Sequence, residues 1–142
     1  MSERPDYSHR TVVQKLGVRS DTRLEMAGDV GSTLRREVKE ALGRGFIRSG
    51  PLDGAVVLVE SLEEARDALV RIRPRLDDRG YVWIVTRKRG SEGYLDQMTL
   101  VPLAREIGLI DNKTCSIDDE RSGIRLVVPR ALRRTTAERP AA

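Results

Sequence analysis

The stretch "GAVVLVES", residues 54–61, contains five consecutive apolar residues between turn-forming segments. A strand with one face in water alternates apolar and polar residues, whereas this run does not alternate. Unbroken apolar strands are typical of sheets that carry helices on both faces. The run therefore predicts an interior strand of an α/β fold.

The residues after this run predict a helix and a second buried strand. Ser61 and Glu64 have the spacing of a capping box at a helix start. Apolar residues then recur on one helical face at Leu62, Ala65, Leu69, Ile72 and Leu76. "DDRG", residues 77–80, predicts a turn, and "YVWIVT", residues 81–86, predicts the next strand. A strand, helix, strand order favours a parallel sheet.

The preceding segment has a similar order. Residues 22–28 predict a strand, a glycine-bearing turn follows, and residues 32–42 keep helical spacing. Ser32 is the predicted cap of this helix, and Gly43 its left-handed stop. Two shorter elements are predicted as well, a helix over 8–16 that stops at Gly17 and a strand at 46–48.

The last third predicts a helix over 95–107 that ends at Gly108, with a start that Pro102 makes ambiguous. "NKTCSID" and "IRLVVPR", on either side of a polar turn, predict an antiparallel hairpin at the edge of the sheet. We therefore expect one domain over residues 1–130, followed by a disordered basic tail over 131–142.

Composition limits the class of protein. With 142 residues, 39% hydrophobic and 34% charged, the chain suits one water-soluble domain, and no apolar run predicts a membrane span or a secretory leader. A single cysteine, Cys115, excludes an internal disulfide and favours a cytoplasmic setting. The net charge of +4 is compatible with nucleic-acid binding, but the arginine-rich usage of a GC-rich genome also explains it, so the charge alone does not indicate nucleic acid.

The order of elements resembles a shortened class I S-adenosylmethionine-dependent methyltransferase. "YSHRTVVQKLGV", "GYVWIVTRK" and above all "GLIDNKTCSIDDERSGIRLVV", residues 108–128, resemble the bacterial domain-of-unknown-function family 3052. Arg121 stands where members usually carry tryptophan. The resemblance implies a three-layer, Rossmann-like α/β fold with a mainly parallel sheet and a C-terminal antiparallel hairpin, and it implies no established activity.

The resemblance also locates a cofactor loop in "LEMAGDVGST", residues 24–33. Methyltransferases have approximately D-x-G-x-G-x-G here, and the matching positions are Glu25, Ala27, Asp29 and Gly31. The Asp29 side chain would occupy the space that a close cofactor needs, and its carboxylate would repel an anionic group. Gly28 and Gly31 do not complete the dinucleotide pattern G-x-G-x-x-G either.

A second test of the cofactor site is an acidic residue that follows the next strand in methyltransferases and binds the ribose of the cofactor. Arg48 lies where an acid would help, and Asp53 is either a substitute or an ordinary turn residue. Too few residues follow Gly43 for the usual strand, helix and strand. The sequence therefore predicts no cofactor, with S-adenosylmethionine as the alternative.

Parallel strands place the loops that follow them along one rim, where ligands prefer to bind. Three such loops would bring together the acidic Glu25, Asp29 and Glu60 and the basic Arg87, Lys88 and Arg89. The three basic residues predict a site for a phosphate, an acidic peptide or nucleic acid, and the alternative is a solvated loop.

Residues for catalysis or metal binding are few. His9 is the sole histidine, Cys115 falls in a predicted strand, and the carboxylates of residues 118–120 form a turn. We therefore predict no catalytic residue and no metal site.

These observations predict a non-catalytic binding or regulatory module for an unknown protein or small-molecule partner. One alternative is an S-adenosylmethionine or nucleotide-dependent small-molecule enzyme. Another is nucleic-acid binding through the basic loop and the tail residues Arg130, Arg133 and Arg134. The sequence also allows a homodimer in which the hairpin edges of two copies pair.

Overall fold

A computed structural model describes residues 11–133 and contains one five-stranded sheet. Its strands are β1 (Leu24–Ala27), β2 (Leu52–Leu58), β3 (Leu76–Arg87), β4 (Ile110–Ser116) and β5 (Arg121–Val127). Their order across the sheet is β1-β2-β3-β5-β4. The first three strands are parallel, and β5 is antiparallel to both β3 and β4. The predicted parallel sheet with a closing antiparallel hairpin is confirmed.

Within residues 11–133, four α-helices cover the sheet. They are α1 (Val12–Leu16), α2 (Ser32–Ala41), α3 (Leu62–Ile72) and α4 (Leu100–Ile107). One apolar core joins α3 and α4 to one face of the sheet, and a second joins α1 and α2 to the other face. The fold is therefore a three-layer α/β domain, as predicted.

Strand β2 contributes to both cores, which explains its unbroken apolar sequence. Val57 faces the core under α3 and α4, whereas Val56 and Leu58 face the core under α1 and α2. All three side chains are buried. Full burial of each stabilises the fold by roughly 1.5–3 kcal/mol.

Ser61 caps the start of helix α3 as predicted, and its hydroxyl accepts the Glu64 N–H at 3.1 Å. The Glu64 carboxylate accepts from the N–H of Glu60 at 3.0 Å, one residue before the expected partner. The predicted turn at 77–80 is wrong, because β3 begins at Leu76 and pairs there with Leu52. A register shift next to Asp53 accommodates the polar residues within the strand.

Helix α2 differs from its prediction at both ends. Gly31 occupies the cap position, with no side-chain cap, so Ser32 is the first helical residue. Gly43 is not a left-handed stop; its N–H donates to the Ser20 carbonyl at 2.8 Å. Residues 46–48 do not form the predicted strand, although the Ile47 N–H donates to the Leu24 carbonyl at 2.8 Å.

The ends of α1 and α4 agree with the sequence, whereas α4 begins at Leu100 and not at residue 95 as predicted. Gly17 and Gly108 end α1 and α4 in left-handed conformations. Pro102 lies in the first turn of α4, where a helix needs no backbone donor. Residues 8–10 of the first predicted helix, and 134–142 of the predicted tail, lie outside the described residues. No helix within 11–133 is sufficiently long and apolar to cross a membrane.

Candidate functional site

The candidate site is the sheet edge where β1, β2 and β3 end. Because β4 runs parallel to these strands, the turn between β4 and β5 lies at the same edge. Six charged side chains meet there and are called the rim cluster: Asp29, Glu60, Arg87, Asp118, Glu120 and Arg121.

Arg87, the last residue of β3, links the loops that follow β1 and β2. Its Nε donates to the Glu60 carboxylate at 2.8 Å, and its Nη2 donates to the Asp29 carboxylate at 3.3 Å. These two bonds raise the pKa of Arg87 above its usual value. The guanidinium that was predicted to receive an outside anion therefore already has two carboxylate partners.

Arg121, the first residue of β5, is the most buried charge of the rim cluster, with 9% of its surface exposed. Its Nε donates to the Asp29 carbonyl at 2.9 Å, and its Nη1 donates to the Asp118 carboxylate at 2.9 Å. Its Nη2 lies 3.2 Å from the Asp29 carboxylate. Sequence reasoning missed this role, because no local pattern connects residues 92 positions apart.

Asp29 receives both guanidinium groups. Hydrogen bonding from Arg87, together with the charge and hydrogen bond of Arg121, lowers the pKa of its carboxyl group. The side chain remains 63% exposed, so the carboxylate is ionised and open to water. An approaching ligand would therefore meet a paired anion at this position.

The glycines on either side of Asp29 have left-handed conformations, with φ +81° at Gly28 and +99° at Gly31. A Cβ at Gly28 would lie 2.9 Å from the Leu58 carbonyl, so this glycine is needed for contact with β2. A Cβ at Gly31 would lie 3.3 Å from Asp118 Oδ2 and 3.4 Å from Arg121 Nη1. The chain's own side chains thus occupy the space beside the second glycine.

Glu25 lies apart from the rim cluster, although the sequence placed it with Asp29 and Glu60. Its carboxylate is buried in β1 and pairs with Arg71, and with Arg75 at 2.7 Å. Burial acts to raise the pKa of Glu25, but bonds from Arg75 and Arg71 more than offset it, so the pKa is lowered. The contacts of Glu25 are those of a structural ion pair.

Asp53 also has an internal partner. Its carboxylate accepts three hydrogen bonds from Arg23: from Nη2 at 2.7 Å, from Nε at 3.1 Å and from the backbone N–H of Arg23 at 2.8 Å. These bonds connect the start of β2 to the residue before β1. The residue considered as a substitute ribose ligand therefore lies at the opposite end of the sheet from the rim cluster.

Lys88 and Arg89 extend away from Arg87 in separate directions. Lys88 Nζ donates to the Ser116 hydroxyl at 2.7 Å, and the Arg89 guanidinium lies 5.7 Å from the centre of the Tyr94 ring. A cleft of about 500 Å³ beside Arg87 is lined by Glu60, Arg87, Gly90, Ser91, Glu92 and Glu120. Carboxylates outnumber cations in this cleft, and the anion site at residues 87–89 stays a prediction.

The other candidates for reactivity have ordinary surroundings. Burial raises the pKa of the Cys115 thiol, and the nearby cations Lys15 and Lys113 act against that rise. His9 lies outside the described residues. Within residues 11–133, no three side chains of histidine, cysteine, aspartate or glutamate are grouped to hold a metal ion.

Comparison with protein families gives a match to the family described as "Protein of unknown function (DUF3052)" over residues 8–130. The chain belongs to this family. The match covers every described element and confirms the resemblance in the sequence. A search of curated proteins gives no significant match.

Solved structures that share this fold include methyltransferases and a fibrillarin. An Aquifex aeolicus methyltransferase has a TM-score of 0.64 at 10% identity, over 82% of this chain and 88% of its own. The O-methyltransferase NcsB1 of neocarzinostatin biosynthesis has 0.65 at 13%, over 87% and 54%. Aeropyrum pernix fibrillarin, solved with S-adenosylmethionine, has 0.60 at 17%, over 79% and 69%.

These identities establish a shared fold. The present chain spans most of the Aquifex protein but only about half of NcsB1. Between α2 and β2 it has residues 42–51, which form neither helix nor strand. The strand, helix and strand that the methyltransferase resemblance implies there are absent from this part of the structure.

Proposed function

We propose that this domain is a non-catalytic binding or regulatory module in which the rim has become a partner surface. The observation that carries the proposal is the position of Arg121. Its buried guanidinium bonds to the carbonyl and carboxylate of Asp29, the residue in the middle of the former cofactor loop. A ligand at this position would have to displace a contact internal to the fold.

The energetic balance supports this proposal. Displacing Arg121 would leave the carboxylates of Asp29, Asp118 and Glu120 without their shared cation. The guanidinium would lose its bonds to the Asp29 carbonyl and to the Asp118 carboxylate, and the like charges left behind repel one another, although water screens them.

The outer atoms of the rim cluster remain available to a partner. Asp29 and Glu120 are 63% and 66% exposed, whereas Arg121 is 11% exposed at its side chain. A fixed cation surrounded by accessible carboxylates suits a polar ligand or a protein surface with exposed cations. We therefore place the partner surface on the carboxylate side of the rim cluster.

A second candidate function is S-adenosylmethionine binding at the rim, with or without catalysis. The left-handed conformations of Gly28 and Gly31 favour it, because they retain the turn of a cofactor loop. The fibrillarin that shares this fold was solved with natively bound S-adenosylmethionine. This candidate requires Arg121 to rearrange or to contact the ligand itself.

Calorimetric titration with S-adenosylmethionine and S-adenosylhomocysteine separates the two candidates. The proposal expects no saturable binding up to about 1 mM, equivalent to roughly 4 kcal/mol of binding free energy. Micromolar binding that Asp29→Arg abolishes would overturn it. Glu40→Arg is the matched control, because it makes the same charge change at an exposed position on α2.

The partner surface is tested by crosslinking capture from the native host. The double variant Asp29→Asn with Glu120→Gln should lose a partner that the wild-type protein retains. Glu37→Gln with Glu40→Gln removes two carboxylates from α2 and should retain it. Equal capture by both double variants would contradict a partner surface at the rim cluster.

A further inference from the structure

A second charged region lies away from the rim, on the face of the sheet that α1 covers. Lys113 of β4 and Arg125 of β5 are directly opposite each other in the antiparallel pair. Like charges at such positions destabilise a sheet. The fold therefore tolerates an unfavourable pair in the hairpin that closes it.

Arg125 is partly buried, and within residues 11–133 no carboxylate forms an ion pair with it. Its guanidinium lies 5.2 Å from the centre of the Tyr81 ring. Burial lowers the pKa of Arg125, which shows that the surroundings oppose its charge. Within residues 11–133, neither Arg125 nor Lys113 forms an ion pair.

Two further cations come from α1 and the residues after it. Helix α1 packs against β4, and Lys15 and Lys113 both act on the Cys115 thiol. Burial raises the pKa of Tyr81 to about 12, against the opposing charges of Arg125 and Arg19. The charges of Lys15 and Lys113 thus act near Cys115, and those of Arg19 and Arg125, together with the carboxylate of Asp53, act near Tyr81. We call Lys15, Arg19, Lys113 and Arg125 the basic patch.

The basic patch differs from the arginines that form ion pairs within the fold. Arg23, Arg71, Arg75, Arg87 and Arg121 all pair with carboxylates. Across the described residues, none of the four patch cations does so. Clustered cations without internal partners have their donors free for an external anion, and an anion there would also remove the repulsion between Lys113 and Arg125.

We propose that the basic patch is a binding site for phosphate groups of a multiply charged ligand. Arginine and lysine are the side chains that most often contact phosphate oxygens. The aromatic residues below the patch, Tyr81 and Trp83, are 7% and 0% exposed, so they offer no surface on which a base could stack. Recognition is therefore through phosphate alone, from either a free polyphosphate or a nucleic-acid backbone.

Titration with inorganic tripolyphosphate tests the site directly. The double variant Lys113→Gln with Arg125→Gln should weaken tripolyphosphate binding at least about tenfold, because each of the two substitutions removes a charge-assisted contact. Arg79→Gln with Arg105→Gln is the matched control, since it removes two exposed cations that form no ion pair with the described residues, and it should change affinity less than about threefold. Thermal unfolding of each variant establishes that it is folded.

A mixed-sequence DNA duplex identifies the source of the phosphate. If the duplex competes with tripolyphosphate and the patch variant lowers the salt dependence of its binding, the ligand is a nucleic-acid backbone. If only tripolyphosphate binds, the ligand is a free phosphate compound. Absence of tripolyphosphate binding, equal loss in the control variant, or equal binding of polyglutamate would each overturn the proposal.

Discussion

Arg121 and Asp29, 92 residues apart, are joined twice, by an Nε bond to the Asp29 carbonyl at 2.9 Å and by an Nη2 contact with its carboxylate at 3.2 Å. The contacts connect the start of β5 to the loop between β1 and α2. One side chain therefore fixes the glycine loop against the closing hairpin. These contacts give the loop a structural role, and they underlie the proposed loss of cofactor binding.

Replacing Arg121 by alanine should lower the free energy of unfolding by about 2 kcal/mol, measured by urea denaturation. The loss comes from the bond to the Asp29 carbonyl and from the carboxylates left without a cation. It stays moderate because Asp118 and Glu120 are open to water, where charges are screened. Arg79→Ala is the control, because Arg79 is exposed and forms no ion pair among residues 11–133. Equal stability of the two variants would contradict a structural role for Arg121.

Protonation of Glu25 should contribute to acid sensitivity. Because the pKa of Glu25 in the folded protein lies below its ordinary 4.5, its pairing stabilises the fold above that pH and is lost as the pH falls through the folded pKa. Glu25→Gln should therefore be less stable than the wild type near about pH 7, and the difference should shrink toward about pH 3. Urea unfolding at several pH values measures this. A constant difference would contradict the linkage.

Much of the fold follows from apolar patterning in the sequence. The unbroken run of β2 and the amphipathic spacing of α3 specify a covered parallel sheet, because burial on both faces requires it. Boundaries set by tertiary contacts were less predictable. Gly43 resembles a helix stop, yet its N–H bonds to Ser20, and the polar start of β3 is held in the sheet by pairing of Leu76 with Leu52.

The candidate site was only partly predictable. Parallel topology places Asp29, Glu60 and Arg87 at one edge, and the structure brings them into contact. Glu25 belongs instead to an ion pair with α3, because its position within β1 directs it to that face. Arg121 could not be assigned from spacing, since its contacts arise from the hairpin returning to the rim.

Gly28→Ala should destabilise the fold by at least about 1–2 kcal/mol more than Gly45→Ala. Both glycines have left-handed conformations, with φ +81° and +76°. A Cβ at Gly28 would lie 2.9 Å from the Leu58 carbonyl, whereas one at Gly45 would meet nothing within 4 Å. The comparison thus separates contact with β2 from backbone strain. Equal midpoints in chemical denaturation would show that the close approach has no cost.

Trp83 should report on the docking of α1. Its indole is 0% exposed, and Nε1 donates to the Leu16 carbonyl at 2.9 Å. Trp83→Phe removes this donor and leaves a buried carbonyl unpaired, so the free energy of unfolding should fall by about 1–3 kcal/mol. Hydrogen exchange should accelerate more in α1 than in α4, because the lost bond joins α1 to the sheet. Uniform acceleration across both helices would contradict a local role for the bond.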